Sequence, residues 1–170
     1  MSLELSETLQ KTIDALTDNF SDKVKDLYQS SGDTFVRIDT DSLLDVCNFL
    51  KEKEHFTYLA DIAGTDRYTS EDRFEVIYNL LSLKNKDRLF VKVWCSEEDP
   101  VLDSVSSVWP SANWNEREVY DMFGVRFNNH PDLRRIFLPE DFEYFPLRKE
   151  FPLLGIPGSI ELPNTTPDTD

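Results

Sequence analysis

The chain has 170 residues, enough for one domain with its own core. It holds 33 Asp and Glu against 18 Lys and Arg, a formal net charge of −15. That balance argues against nucleic acid, whose affinity comes largely from Lys and Arg neutralising phosphates, and against direct docking on an anionic lipid surface. It suits a partner protein with a basic or mixed surface.

The N-terminus, Met1-Ser2-Leu3-Glu4-Leu5-Ser6-Glu7, is acidic and has neither a signal-peptide pattern nor an Arg-rich transit pattern. Leu5, Leu9, Ile13, Leu16 and Phe20 recur at steps of four and three, one face of a first helix. Val24 to Tyr28 and Thr34 to Ile38 flank Ser31-Gly32-Asp33 and read as a hairpin. Asp39 or Thr40 is placed to cap a second helix whose Leu43, Leu44, Val46, Cys47 and Leu50 would face a sheet. Phe56 to Ile62 reads as a strand that Gly64 would end. Phe74, Val76, Tyr78 and Leu80 alternate strictly, and so do Leu89, Val91, Val93 and Cys95 after the turn Lys84-Asn85-Lys86-Asp87. All nine prolines lie at or beyond Pro100, so regular structure is concentrated before it. A third long helix is expected from about Trp114 to Phe123. Asn113 and Glu116 have capping-box spacing, and Gly124 sits where a left-handed terminating residue belongs. No apolar run of about 18 residues exists, so no membrane-crossing helix is expected.

The order is therefore helix, two strands, helix, three strands, helix. That is an α+β arrangement, a mixed sheet covered by helices on one face. The expected organisation is an α+β domain over 1–125, an extended docking segment over 126–162 and a mobile tail over 163–170. The tail offers almost no apolar surface to bury.

Chemistry-bearing patterns are scarce. The five glycines never form G-x-G-x-x-G or a P-loop. His55 and His130 have no second His or Cys at metal-ligand spacing. Two isolated cysteines, Cys47 and Cys95, are too few for a cluster that takes four thiolates, and they read as buried free thiols. No catalytic, cofactor or metal residue is assigned. Trp94, Trp109 and Trp114 read as core or interface anchors.

Residues 116–152 stand apart, because charges of both signs mix there with aromatics and prolines at irregular spacing. Two readings fit equally. One is a surface buried against another protein, where Arg and aromatics are enriched. The other is an internal ion-pair network closing one end of the domain. Arg117 and Asp121 are four apart and share a helix face. Glu116, Glu118 and Asp121 are read as partners of the helix dipole and of Arg117, Arg134 or Arg135 rather than as acid–base groups. Arg134-Arg135 has the donors to clamp a carboxylate bidentately. His130, preceding Pro131, is read as shaping a turn.

The run Glu116-Arg117-Glu118, with Asp121, Gly124 and His130-Pro131-Asp132-Leu133-Arg134-Arg135, resembles the signature of the 30-kDa subunit family of respiratory complex I. Pro146-Leu147-Arg148-Lys149-Glu150-Phe151-Pro152 resembles its second motif, with Glu150 where the family often has Asp. Phe142 and Phe145 stand where Trp and His are frequent. The resemblance implies a peripheral-arm subunit of proton-translocating NADH-quinone oxidoreductase. Such a protein would sit on the cytoplasmic side of the bacterial membrane without inserting into it. The resemblance also implies that the two motifs face the 49-kDa-type (D-type) subunit and other peripheral-arm subunits. It implies no cofactor on this chain, with FMN, iron–sulfur clusters and quinone held by partner subunits. Similar domains in NAD(P)H- or ferredoxin-dependent quinone oxidoreductases and in membrane-bound hydrogenases are the alternative within the same class. A generic protein-interaction adaptor is the alternative from another class.

Overall fold

The computed structural model describes residues 5–69, 71–153 and 155. In chain order they form α1 (Glu7–Phe20), β1 (Val24–Ser30), β2 (Asp33–Ile38), α2 (Leu43–Glu52), β3 (Tyr58–Asp66), β4 (Phe74–Ser82) and β5 (Asp87–Cys95), then β6 (Val101–Asp103), α3 (Ala112–Phe123) and β7 (Arg126–Asn128). The α+β class and the order of its main elements agree with the sequence reading. The parallel pair β6–β7 has no counterpart in that reading, because strands of three residues are too short to show alternation.

The main sheet runs β1-β2-β5-β4-β3. It is mixed because β2 and β5 are parallel while the other neighbours are antiparallel. Alternation assigns its faces. Val36 and Ile38, Val91 and Val93, and Val76, Tyr78 and Leu80 are all buried on one side. Slipping any strand by one residue would expose its whole apolar set, so the pattern fixes the register. On α1, Leu9, Ile13 and Leu16 turn to this core. Its start is pinned twice: Ser6 Oγ accepts the Leu9 N–H at 3.0 Å, and the Ser6 and Thr8 hydroxyls donate to the Asp87 carboxylate at 2.6 and 2.5 Å. The hairpin turn holds Ser31 (φ 54°) and Gly32 (φ 93°) in the left-handed region, as two-residue hairpins demand.

Three local expectations are corrected. Neither Asp39 nor Thr40 caps α2: a 3-10 turn, Thr40–Ser42, precedes the helix, no side-chain cap forms, and the Asp39 carboxylate pairs with Lys25 at 2.8 Å. Gly64 does not end β3, which begins at Tyr58 and continues to Asp66. The glycine is needed because a Cβ there would lie 2.6 Å from Phe123 Cδ2 and 3.2 Å from Val119 Cγ1, so its absence lets α3 press on β3. The Asn113–Glu116 capping box is absent. Ser111 occupies the N-cap, Asn113 lies inside the helix, and Glu116 turns inward.

Gly124 ends α3 as expected, with φ 77° and its N–H on the Tyr120 carbonyl at 2.8 Å. The core closes by Phe127, with Leu133 packed against it. Beyond β7 the chain runs through turns and bends over α3 and the β3–β4 end of the sheet. The expected tail, 163–170, lies outside the described residues, as do 156–162 of the expected docking segment.

Candidate functional site

The two motifs meet on α3, which presents Glu116, Arg117 and Asp121 to the segment that follows β7. Asp121 is fully buried. Its Oδ2 accepts three consecutive backbone N–H groups, from Ile136 at 3.0 Å, Phe137 at 2.7 Å and Leu138 at 3.2 Å. Its Oδ1 takes the Arg135 guanidinium at 2.7 Å. Burial alone would push this carboxyl up, but the Phe137, Arg135, Ile136 and Leu138 donors outweigh it and hold it below the usual carboxylate range. Arg135 also donates to the Tyr144 carbonyl at 3.1 Å, so one side chain ties α3 to two points of the segment.

Arg117 does not pair primarily with a carboxylate. Its Nε and Nη2 donate to the carbonyls of Arg134 and Arg135 at 2.9 and 3.2 Å, with Asp132 4.0 Å away. The Trp114 ring lies 4.9 Å from its guanidinium. Glu116 finds no arginine either. Its carboxylate accepts from Ser104 Oγ at 2.6 Å and the Val105 N–H at 2.7 Å. Burial drives its pKa up to about 7, only partly offset by those two donors. His130 lies 3.7 Å from Glu116 with its side chain fully enclosed. Its Nδ1 accepts the Asp132 N–H at 3.0 Å, which assigns the proton to Nε2, donated to the Asn113 carbonyl at 3.0 Å. This histidine shapes a turn, in keeping with its place before Pro131.

The second motif grips the other end of α3. The Leu147 N–H bonds the Met122 carbonyl at 3.1 Å, and Arg148 Nε bonds the Phe123 carbonyl at 2.7 Å. The Arg148 guanidinium lies 4.5 Å from the Phe145 ring and 4.9 Å from Phe74. Gly124 makes room for it, since a Cβ there would sit 2.7 Å from both Arg148 Nη2 and the Phe145 ring. The Lys149 N–H donates to Asp66 Oδ2 at 2.8 Å, and Glu150 bonds Arg73.

Asp66 and Arg73 are absent from the sequence reading. Arg73 is bidentate on Asp66 at 3.0 and 2.7 Å and reaches Glu97 and Glu150 as well. Its hydrogen bond to Asp66 is the largest cause of a raised pKa. Burial alone would push Asp66 up, but Arg73 and the Lys149 and Tyr68 N–H groups bring it down to about 2. The only signal for the pair is the β3–β4 pairing, which sets Asp66 beside Phe74. The approach of Glu150 from 77 residues away has no sequence signature.

The structure thus gathers Glu116, Arg117, Asp121, Gly124, His130, Asp132, Arg134, Arg135, Leu147, Arg148 and Lys149 into contacts within the chain. Among the described residues Arg134 pairs with Asp132 alone, at the surface, through two bonds of 2.7 Å. Glu118, Pro131 and Pro152 are exposed, Pro146 is half-buried, and Phe151 joins Phe142 and Tyr144 in an aromatic cluster. Several large apolar side chains stand out from the same region: Trp114, Phe137, Tyr144 and Leu147 are each about half exposed or more. The arrangement is a clasp in which charged groups hold the backbone while aromatics face outward. Among the described residues no group of three or more His, Cys, Asp or Glu is placed to hold a metal ion. No described helix is long and apolar enough to cross a membrane.

Residues 36–156 match the family described as respiratory-chain NADH dehydrogenase, 30 Kd subunit. The C subunit of NADH-quinone oxidoreductase from Geobacter sulfurreducens is 45% identical over 141 residues, covering 82% of this chain and 87% of that one. The C/D 2 subunit of the Aquifex aeolicus enzyme is 40% identical over 155 residues, which cover 91% of this chain and 26% of that one. Among solved structures, a trypsin-resistant fragment of Nqo5 superposes with a TM-score of 0.65 at 34% identity, covering 74% of this chain and 99% of that one. A chain of the membrane-bound sulfane sulfur reductase, an archaeal respiratory membrane complex, has a TM-score of 0.73 at 22% identity over 87% and 88% of the two chains, a likeness of fold alone.

Proposed function

Since the chain belongs to the 30-kDa subunit family of respiratory-chain NADH dehydrogenase, we propose that it serves as the C subunit in the peripheral arm of an NADH-quinone oxidoreductase. Its place there is on the cytoplasmic side of the membrane, against the 49-kDa-type (D-type) subunit. Its work is mechanical: it presents a rigid surface that keeps the neighbouring subunit in place. Electrons pass from NADH through FMN and iron–sulfur clusters to quinone in the partner chains.

The observation that carries this reading is a match across residues 36–156, which takes in the sheet from within β2 to β3, β4 and β5 and the clasp. The C/D-named chain of Aquifex aeolicus supports a D-type neighbour, because this chain corresponds to about a quarter of it. A non-catalytic role fits a sequence with two separated cysteines and no glycine-rich phosphate loop.

Deleting the gene and restoring it on a plasmid tests the reading in membranes. NADH-quinone reductase activity and the amount of assembled D-type subunit should fall together and recover together. The chain purified alone should be colourless, without iron or flavin, and inactive. Activity that survives deletion, or stoichiometric iron on the isolated chain, overturns the assignment.

A further inference from the structure

Asp66 and Asp121 are buried against arginines. Glu116 is 0% exposed, yet among the described residues no Lys or Arg pairs with it. What it meets is a row of hydroxyls. Its carboxyl lies 2.6 Å from Ser104 Oγ, which lies 2.7 Å from Ser106 Oγ. Ser104 is 4% exposed, whereas Ser106 is half-buried and adjoins exposed Ser107. Three groups therefore step from the core to the surface at hydrogen-bond distance. Backbone groups hold the row in place. The Ser106 N–H donates to Ser104 Oγ at 3.1 Å, the Val105 N–H to Glu116 Oε1 at 2.7 Å and the Ser104 N–H to the Asn128 carbonyl at 2.9 Å.

The row can run in either direction. With Glu116 ionised, Ser106 donates to Ser104 and Ser104 donates to the carboxylate. With Glu116 protonated, its O–H donates to Ser104 and Ser104 donates to Ser106. A hydroxyl has one proton to give and two lone pairs. In both arrangements Ser104 gives one hydrogen bond and accepts two, one of them from the Ser106 N–H. Neither charge state of Glu116 leaves Ser104 unsatisfied. Burial favours the protonated form, and the Ser104 and Val105 donors favour the ionised one.

The other groups around Glu116 offer no exit for a proton. His130 faces it at 3.7 Å from the turn after β7, but Nε2 is committed to the Asn113 carbonyl and Nδ1 to the Asp132 N–H. Cys47 on α2 and Tyr78 on β4 are fully enclosed, and burial together with the Glu116 charge holds both protonated. Arg117 turns away to the carbonyls of Arg134 and Arg135.

We propose that Ser104 and Ser106 form a proton path between the buried Glu116 carboxyl and solvent. On release, the Glu116 proton passes to Ser104 Oγ as Ser104 hands its own to Ser106, and Ser106 gives its own to water. Both serines end neutral, the carboxylate carries the charge, and one proton has left the protein. Uptake runs the same steps in reverse. The path lets α3 exchange a proton with solvent while the fold stays closed, and it needs no partner subunit.

The test follows the carboxylic C=O infrared band of Glu116 in the full chain, identified by its absence in Glu116→Gln. A pH jump from below to above about 7 then times the loss of the proton. Ser106→Val and Ser106→Thr have the same shape and differ by one hydroxyl. Release should slow about tenfold or more in the valine variant and stay near the wild-type rate in the threonine variant. The titration midpoint of Glu116 should hardly move in either, because the Ser104 and Val105 contacts remain. A purely structural role for Ser106 would shift the midpoint or the melting temperature without separating the two rates. Ser104→Ala should slow release too and raise the midpoint, since the ionised carboxylate loses a donor. Melting of each variant shows whether it folds. Should Ser106→Val fail to fold, Ser106→Ala takes its place against Ser106→Thr, with the same expected order of rates. Equal release rates with and without the hydroxyl overturn the path. The lack of any Glu116 band that titrates overturns the buried proton itself.

Discussion

Asp121 and Asp132 are both aspartates facing arginine in the same motif, yet their consequences differ. Asp121 satisfies three backbone N–H groups and a guanidinium in a buried site, so Asp121→Asn leaves the enclosed Arg135 facing a neutral amide. We expect a loss of about 3–5 kcal/mol in denaturant unfolding. Asp132→Asn removes a solvent-exposed pair with Arg134 and a 4.0 Å approach to Arg117, and should move the unfolding midpoint far less. Equal effects would mean the buried nest does not hold the segment. Glu116 gives a pH signature. Its folded-state pKa of about 7 lies above the ordinary 4.5, so the folded form keeps a proton that the unfolded chain has released. Stability must then fall as pH rises from about 4.5 to about 7 and level off beyond, by on the order of 3 kcal/mol. Glu116→Gln preserves the Ser104 and Val105 contacts and should abolish that slope. Asp66 acts in the opposite sense: its contribution is present above the usual aspartate range and is lost as pH falls towards about 2. A Glu116→Gln variant that keeps the wild-type slope between about pH 4.5 and about pH 7 would refute the assignment.

At the scale of elements, α3 is positioned by two glycines with different roles. Gly64 removes a side chain from β3 so that Phe123 and Val119 can approach the strand. Gly124 reverses the chain in the left-handed region and leaves space for Arg148 and Phe145. Gly124→Ala costs about 1–2 kcal/mol for the backbone alone. Its Cβ must also displace the Arg148 guanidinium or the Phe145 ring. The expected outcome is a lower melting temperature together with faster proteolysis within 142–153, because the second motif loosens from α3. Faster cleavage in the sheet instead, with 142–153 protected, would show that the glycine serves only to end the helix.

For the whole molecule, the buried core is complete by Phe127, and the clasp adds a layer over it. A chain ending after Leu138 keeps the three N–H donors to Asp121 but loses Phe145, Arg148, the Lys149 N–H and Glu150. It should retain the circular dichroism of the intact sheet, melt at a lower temperature and bind the D-type partner poorly. Loss of the sheet signal would make the second motif part of the core rather than its cover.

Alternation in β4 and β5, the stripe on α1 and the Ser31-Gly32 turn were legible in the sequence, because side-chain periodicity and left-handed turns are local properties of the chain. The family was legible too, since its residues fall in fixed order along 116–152. Local rules failed at Gly64 and at the Asn113–Glu116 spacing for a shared reason. Each residue answers to a neighbour distant in sequence: Gly64 to Phe123, Glu116 to Ser104 and Val105. Residue types alone left two meanings open for the charged motif, a partner surface or an internal network. Tertiary structure divided them residue by residue. Glu116, Asp121, Asp132, Glu150 and most arginines are engaged by backbone groups and one another within the chain, and at the enclosed ones burial makes an unpaired charge costly. Trp114, Phe137, Tyr144 and Leu147 are left outside, and only the packing of the segment onto α3 could decide which side chains those would be.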